Sequence, residues 1–300
     1  MGPAMQPAFV TRSRIEAIRG ERGFAPTLEG LWSAGDAEVL GRPCIAIVGT
    51  RAATPYGRGL ARLFARDLGA AGCCIVSGLA VGIDAAGHEG ALDAGAATVG
   101  VLGGGHARFF PQRNRELAER ICAAGGAVLS PYAPETHALP AQFLARNAIV
   151  AGLADAVLVV EAPARSGALN TAGHAAGRIP VLAVPGDVDR RSVEGCHALI
   201  RDGATLARTA ADVLEAMGML QTQRKKRRET AARTTRADPL ERAVVRALEA
   251  GETALDELAH ALQAPAGAIL AALSVLELDG AIESRPGARY ALARRRRGAP

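Results

Sequence analysis

The sequence predicts an α/β protein: a doubly wound, mostly parallel sheet with helices on both faces, followed by a small C-terminal winged-helix domain. Three observations carry this reading. Between residues 43 and 218, six short apolar runs alternate with helical patterns, the order that builds a parallel sheet covered on both sides. Five of those runs end in small or glycine-rich turns, the composition expected where strands give way to helices along one sheet edge. Residues 238–293 then compress three helical patterns and a hairpin signal into one short segment, the order of a winged helix-turn-helix.

Residues 1–42 are weakly patterned, with a helix expected from Arg12 to Arg19, and are read as a short N-terminal extension. Strands are expected at Cys44–Val48, Cys73–Ser77, Thr98–Leu102, Ala127–Ser130, Ala156–Glu161 and Val181–Val184. Helical patterns fall at Tyr56–Ala71, Gly82–Ala94, Arg113–Ala124, Ala141–Gly152, Asn170–Gly177, Glu194–Asp202 and Ala210–Gly218. In the second unit Asp238 caps a helix that opens at Pro239. A helix from Leu255 to Leu262 follows, and Pro265 opens a third, Ala266 to Leu278, ended by Gly280. Two β-like segments, Ala281–Ser284 and Arg289–Leu292, flank a Pro286-Gly287 turn.

The chain has 300 residues, 49% hydrophobic and only 3% aromatic, so its core is built from Ala, Val, Leu and Ile. No apolar run reaches the roughly 20 residues a membrane span needs, and the N-terminus lacks the apolar stretch of a signal peptide. No membrane partner is expected. Five cysteines, without metal spacing, read as reduced, buried thiols of a cytosolic protein. The net charge of +5 is unevenly placed. Residues 1–218 balance 20 basic against 20 acidic side chains, whereas residues 219–237 hold seven basic and one acidic. Residues 238–293 hold four basic and nine acidic, and the tail 294–300 holds four arginines. The basic linker and tail are solvated segments or non-specific contacts for nucleic acid. The only two lysines, Lys225 and Lys226, lie in that linker. The large domain therefore has no Walker lysine, Schiff-base lysine or lysine nucleophile. Any anion it binds is held by arginine and backbone.

Ser77 to Asp84 read SGLAVGID behind the apolar run Cys73–Val76. A buried strand, a glycine-flanked turn and a helix start form a phosphate-binding layout. The glycines Gly78 and Gly82 lack the G-x-G-x-x-G spacing, and no Lys-Ser or Lys-Thr follows. The turn thus points to a polyanion site unlike the ordinary nucleotide sites. Four further turns are expected at the same strand ends: Gly49-Thr50-Arg51, Gly103-Gly104-Gly105, Ser166 to Thr171, and Pro185-Gly186. Arg51 offers a fork suited to phosphate, or is an ordinary surface arginine. Ser166 and Thr171 serve as hydroxyl donors or as helix caps. In the segment Gln142 to Asn147, Phe143 beside Arg146 suits base stacking next to a phosphate contact, or belongs to the core.

The ordered motifs resemble the DNA-processing protein A (DprA/Smf) family over residues 25 to about 218. They are GTR-x4-YG, SGLAxGID-x3-H, VLGGG with Pro111 ahead, F-x2-RN, VVEA-x3-SG-x3-TA, AVPG and G-x3-LI-x2-GA. The C-terminal unit matches the accessory domain of many members. The resemblance implies an extended Rossmann-like domain that binds single-stranded DNA in the cytoplasm and helps load RecA during natural transformation. It implies a homodimer, and no cofactor, metal or catalytic residue is expected. Its phosphate pocket maps onto Gly49, Thr50 and Arg51; onto Ser77, Gly78, Leu79 and Gly82; and onto Ser166, Gly167 and Thr171. Phe143, Arg146 and Asn147 fall on the segment where members stack a base.

The chain departs from the family pattern in three ways. Pro131 stands where Glu is usual, Ala148 stands where Arg is usual, and the common helical N-terminal domain is mostly missing. The first two changes read as the joint loss of an ion pair, so restoring Arg at 148 alone is expected to destabilise the fold. The third helix of the winged unit carries no Arg, Lys, Asn or Gln for base edges. The unit is therefore expected to contact protein rather than read duplex DNA, with Arg285 and Arg289 as the residual case for DNA. Two rivals remain. One is an enzyme of the phosphoribohydrolase type, with His174 in place of its glutamate and Asp84 with His88 as an acid/base pair. The other is a sequence-specific regulator acting through the winged helix.

Overall fold

The strand β3 (Cys44–Val48) is buried along its whole length, and its alternation sets up two layers. Ile45 and Ile47 enter one apolar cluster with Phe64, Leu68 and Leu158. Cys44, Ala46 and Val48 enter the other with Ile149, Val150 and Val157. That is the signature of a central parallel strand covered on both faces. The architecture comes from a computed structural model, which describes residues 6–22, 27–219, 239–249, 251–278 and 281–292. Apart from Met219, the basic linker and the basic tail lie outside the described residues.

In chain order the first unit runs β1 (Ala8–Thr11), α1 (Arg12–Arg19), β2 (Gly30–Gly35), β3, α2 (Pro55–Ala70), β4 (Cys74–Ser77), α3 (Ile83–Asp93), β5 (Thr98–Val101), α4 (Arg115–Ala123), β6 (Ala127–Ser130) and α5 (Pro140–Leu153). It continues with β7 (Ala156–Val159), α6 (Gly167–Ala175), β8 (Val181–Ala183), α7 (Glu194–Arg201), β9 (Thr205–Leu206) and α8 (Ala210–Ala216). The sheet order is β1-β2-β6-β5-β4-β3-β7-β8-β9. From β6 to β9 every neighbouring pair is parallel, while β2 pairs antiparallel with β6 and β1 with β2. The chain winds outward from β3 through β4, β5 and β6, then returns to place β7 beside β3. The topological switch point, where ligands gather in doubly wound sheets, therefore lies between the ends of β3 and β7.

All six expected strands form, as β3 to β8, and the expected helices form with ends shifted by a few residues. Helix α6 begins three residues early because Ser166 caps it, accepting a hydrogen bond from the Leu169 amide at 3.4 Å. Strands β1, β2 and β9 are additions to the sequence reading. In β2 the glycines at both ends mute the β pattern, yet Leu31 and Ala34 are fully buried. A Cβ on Gly30 would meet the Phe9 ring at 2.8 Å, so a glycine there lets Phe9 lie across the edge, where it meets Trp32 edge-on at 5.4 Å. The N-terminal stretch is thus part of the sheet rather than an extension beside it. Helix α1 is fastened by Arg19, which is buried and bridges Asp155 at 2.8 Å. The second oxygen of Asp155 accepts the Cys44 amide at 2.7 Å.

The second unit runs α9 (Pro239–Glu249), β10 (Thr253–Ala254), α10 (Leu255–Ala261), α11 (Ala266–Leu278), β11 (Ile282–Arg285) and β12 (Arg289–Leu292). Three helices and a three-stranded sheet of order β10-β12-β11 form a winged helix around Val244, Leu248, Leu258, Ile269, Leu273 and Leu276. Among the described residues no single helix is long and apolar enough to cross a membrane.

Candidate functional site

Two of the turns are built into one another at the switch point. The amide of Thr50 donates to the Glu161 carbonyl at 2.6 Å, and the Thr50 carbonyl accepts the Ile83 amide at 3.3 Å. Gly82, at φ +88°, abuts the backbone of Thr50 and Arg51 so closely that a Cβ would lie 2.8 Å from the Arg51 carbonyl oxygen. Both its backbone angle and its contact demand glycine. Behind the first turn, the buried Glu161 accepts from the Thr54 amide at 3.0 Å and the Thr54 hydroxyl at 3.2 Å. Thr54 in turn caps α2. Glu161 is therefore a bracket for the turn that carries Arg51, a role the sequence reading did not assign.

The second turn is held by Asp84. Its carboxylate accepts the amides of Gly78 at 3.1 Å and Ala80 at 3.3 Å. Burial pushes the Asp84 pKa up, while Arg146 and these amides oppose the rise. Arg146, only 4% exposed, is disfavoured as a cation by burial, restored by Asp84 and opposed again by Arg51. Its Nε has no hydrogen-bond partner. A side chain on Gly78 would occupy the place of the Arg146 guanidinium. Gly78 is thus the gap through which a buried arginine reaches the turn.

These elements enclose an open cavity of about 580 Å³. Of the residues expected in the site, Gly49, Thr50, Arg51, Phe143, Arg146, Asn147, Ser166, Gly167 and Thr171 line it. Gly78 lines a small adjoining recess with Arg146. Ser77, Leu79 and Gly82 stand outside the cavity wall. The Ser77 hydroxyl is fully buried and donates to the Ile47 carbonyl at 2.6 Å. Leu79 packs against Gly100. Ser166 acts as a cap, and Thr171 donates to the Gly167 carbonyl at 3.4 Å, so both hydroxyls serve α6. Asn147 ties α5 to that helix, donating to the Gly167 carbonyl and to Asn170 Oδ1, each at 3.2 Å.

Arg51 is exposed, and its guanidinium carbon lies 5.4 Å from the centroid of the Phe143 ring. Phe143 is seated by Gly103, where a Cβ would meet the ring at 2.7 Å. The triple-glycine turn therefore makes room for an aromatic rather than lining the cavity. Two residues were missed in the sequence. Phe110 meets Phe143 edge-on at 5.8 Å and is 52% exposed, and Arg165 adds an exposed cation to the wall. Aromatics are scarce in this chain, so Phe110 next to the motif residue Pro111 was the available signal. The fifth turn, Pro185-Gly186, faces a different cavity of about 560 Å³ with Thr54, Tyr56 and Asp187.

The proposed acid/base pair is otherwise engaged. His88 is fully buried and bonds Thr98 Oγ1 through Nδ1 at 2.7 Å. Desolvation, with Arg146 adding to it, lowers its pKa to about 3. His174 is exposed on α6. Among the described residues no group of His, Cys, Asp or Glu is arranged to hold a metal ion.

A doubly wound sheet with an arginine-lined cavity at its switch point, and a C-terminal winged helix in the same chain, define a Rossmann-like α/β protein. The sequence profile of the DNA recombination-mediator protein A family matches residues 24–218, and that of the DprA winged helix domain matches residues 228–288. The chain is 39% identical to a DNA processing protein DprA of Mycobacterium tuberculosis, covering 93% of this chain and 72% of the relative. It resembles the DprA structure from Streptococcus pneumoniae with a TM-score of 0.58 and 38% identity, over 62% of this chain and 66% of that one. It resembles the Helicobacter pylori DprA structure, described for its single-stranded-DNA binding mode, with a TM-score of 0.63 and 26% identity, over 74% and 99%. The chain belongs to the DprA/Smf family of DNA-processing proteins.

Proposed function

We propose that this chain binds single-stranded DNA in the cavity between β3 and β7 and loads RecA onto it during natural transformation. In this reading it acts in the cytoplasm as a homodimer and is not an enzyme. The observation that carries the reading is Arg51 lying over Phe143 at the mouth of the cavity. A cation for a phosphate lies against the ring that a base would stack on, in a cavity also lined by Ser166 and Gly167 at the N-terminus of α6. That combination grips a single strand without reading its sequence. The likeness to the Helicobacter pylori protein supports the same ligand. Catalysis is disfavoured because Asp84 and His88 are committed to the turn and to Thr98.

The winged helix is assigned to protein contact. The exposed face of α11 presents Leu270, Ser274 and Val275, and the Ser274 hydroxyl donates to the Leu270 carbonyl at 2.9 Å, so the helix brings no Arg, Lys, Asn or Gln to a base edge. A gel-shift comparison tests the single-strand binding on which the proposal stands. Preference for single-stranded over duplex DNA with little dependence on sequence is expected, and the opposite preference would overturn it.

A further inference from the structure

The cavity does not stop at Phe143. The small recess beside it shares Arg51, Phe110, Phe143 and Arg146 with the main cavity and adds Val81 and Pro111. Val81 in turn borders a further recess of about 420 Å³ on the far side of the SGLAVGID turn. That recess is lined by Arg58, Arg62 and Arg113, with Glu89 as its one carboxylate. Arg62 is committed to Glu89 at 3.2 Å and to Asp93 at 2.5 Å. Arg58 donates to the Ala53 carbonyl, which leaves its charge unmatched. Arg113 is exposed and has no ion pair among the described residues. Two uncompensated guanidinium groups thus line one recess, and the half-exposed Phe110 lines both the main cavity and the small recess that leads to it through Val81.

We propose that this recess is a second phosphate subsite on the same strand, with Arg113 and Arg58 as its ligands and Phe110 as the base platform between the two subsites. The proposal rests on the single-stranded-DNA reading of the main cavity. A polymer with a charge on every unit and a π-face on every base suits an alternation of cationic recesses and rings. A free nucleotide would fill one recess and gain nothing from the other. The edge-on packing of Phe110 against Phe143 closes the gap between the rings, so a base engages the exposed face of Phe110. The track then crosses the turn at Ala80 and Val81, beside Gly82, where side chains are small.

The test uses the full chain with oligothymidylates of about 4 and about 16 nucleotides, the span of site sizes for single-strand grooves. The wild type is expected to bind the longer oligonucleotide more tightly than added statistical sites explain. Arg113→Ala combined with Arg58→Ala should weaken the longer one by about tenfold, the order of a lost charge-assisted contact, and leave the shorter one unchanged. Phe110→Ala should also weaken the longer one, and Arg113→Lys in place of Arg113→Ala should restore most of the loss. If the double variant matches wild type on both lengths, the second subsite is wrong while the main cavity stands. Equal weakening on both lengths also overturns it. If the wild type binds neither length, the main-cavity reading fails and the track fails with it.

Discussion

The guanidinium of Arg51 and the ring of Phe143 occupy each other's binding face, 5.4 Å apart. In the proposed binding mode, a base that stacks on that ring displaces the arginine, which is then free to take the neighbouring phosphate. The two contacts are therefore coupled rather than independent. Phe143→Ala should weaken single-strand binding by about 1–3 kcal/mol. In a double-mutant cycle with Arg51→Ala the two losses should fail to add by about 0.5 kcal/mol or more. Additive losses measured by fluorescence anisotropy would separate the two residues.

Gly78 and Arg146 give a second prediction. Since a methyl group on Gly78 intrudes on the buried guanidinium, Gly78→Ala should cost about 1–3 kcal/mol of stability, the usual scale of overpacking. The same substitution made in an Arg146→Ala background should cost markedly less. Chemical denaturation of the four proteins reads this directly, and an undiminished penalty would show that the strain at Gly78 lies elsewhere.

Buried His88 makes stability depend on pH with a definite sign. Its folded pKa of about 3 lies below its ordinary value of 6.5. Between those values the unfolded chain takes a proton that the folded chain refuses, so stability falls as pH drops from about 6.5 toward 3. His106, also lowered by burial, acts in the same direction. His88→Gln should flatten the dependence of the urea midpoint on pH across this window without abolishing it. Identical slopes in wild type and variant would contradict the assignment.

The parallel core was legible because its strands are short apolar runs closed by glycine turns, and Cys44–Val48 and Ala127–Ser130 keep the predicted bounds. The antiparallel edge was hidden because β2 reads GLWSAG, where glycine masks alternation. In the site, Arg51 and Phe143 were legible as chemistry-bearing residues beside turns. What Ser77, Leu79 and Gly82 do was not legible. A motif residue that shapes a turn and one that faces a ligand look alike until the backbone is placed. Gly103 shows the same limit: its glycine serves Phe143, 40 positions away in the chain.

The central claim is that a backbone phosphate is held at Arg51. The most direct measurement is the salt dependence of binding to a long oligothymidylate, for wild type and Arg51→Ala. Loss of one phosphate contact should lower the slope of log affinity against log salt by about 0.7, the single-strand value per contact, with affinity falling alike for every sequence. An unchanged slope and affinity would remove Arg51 from the site and the cavity from its proposed role.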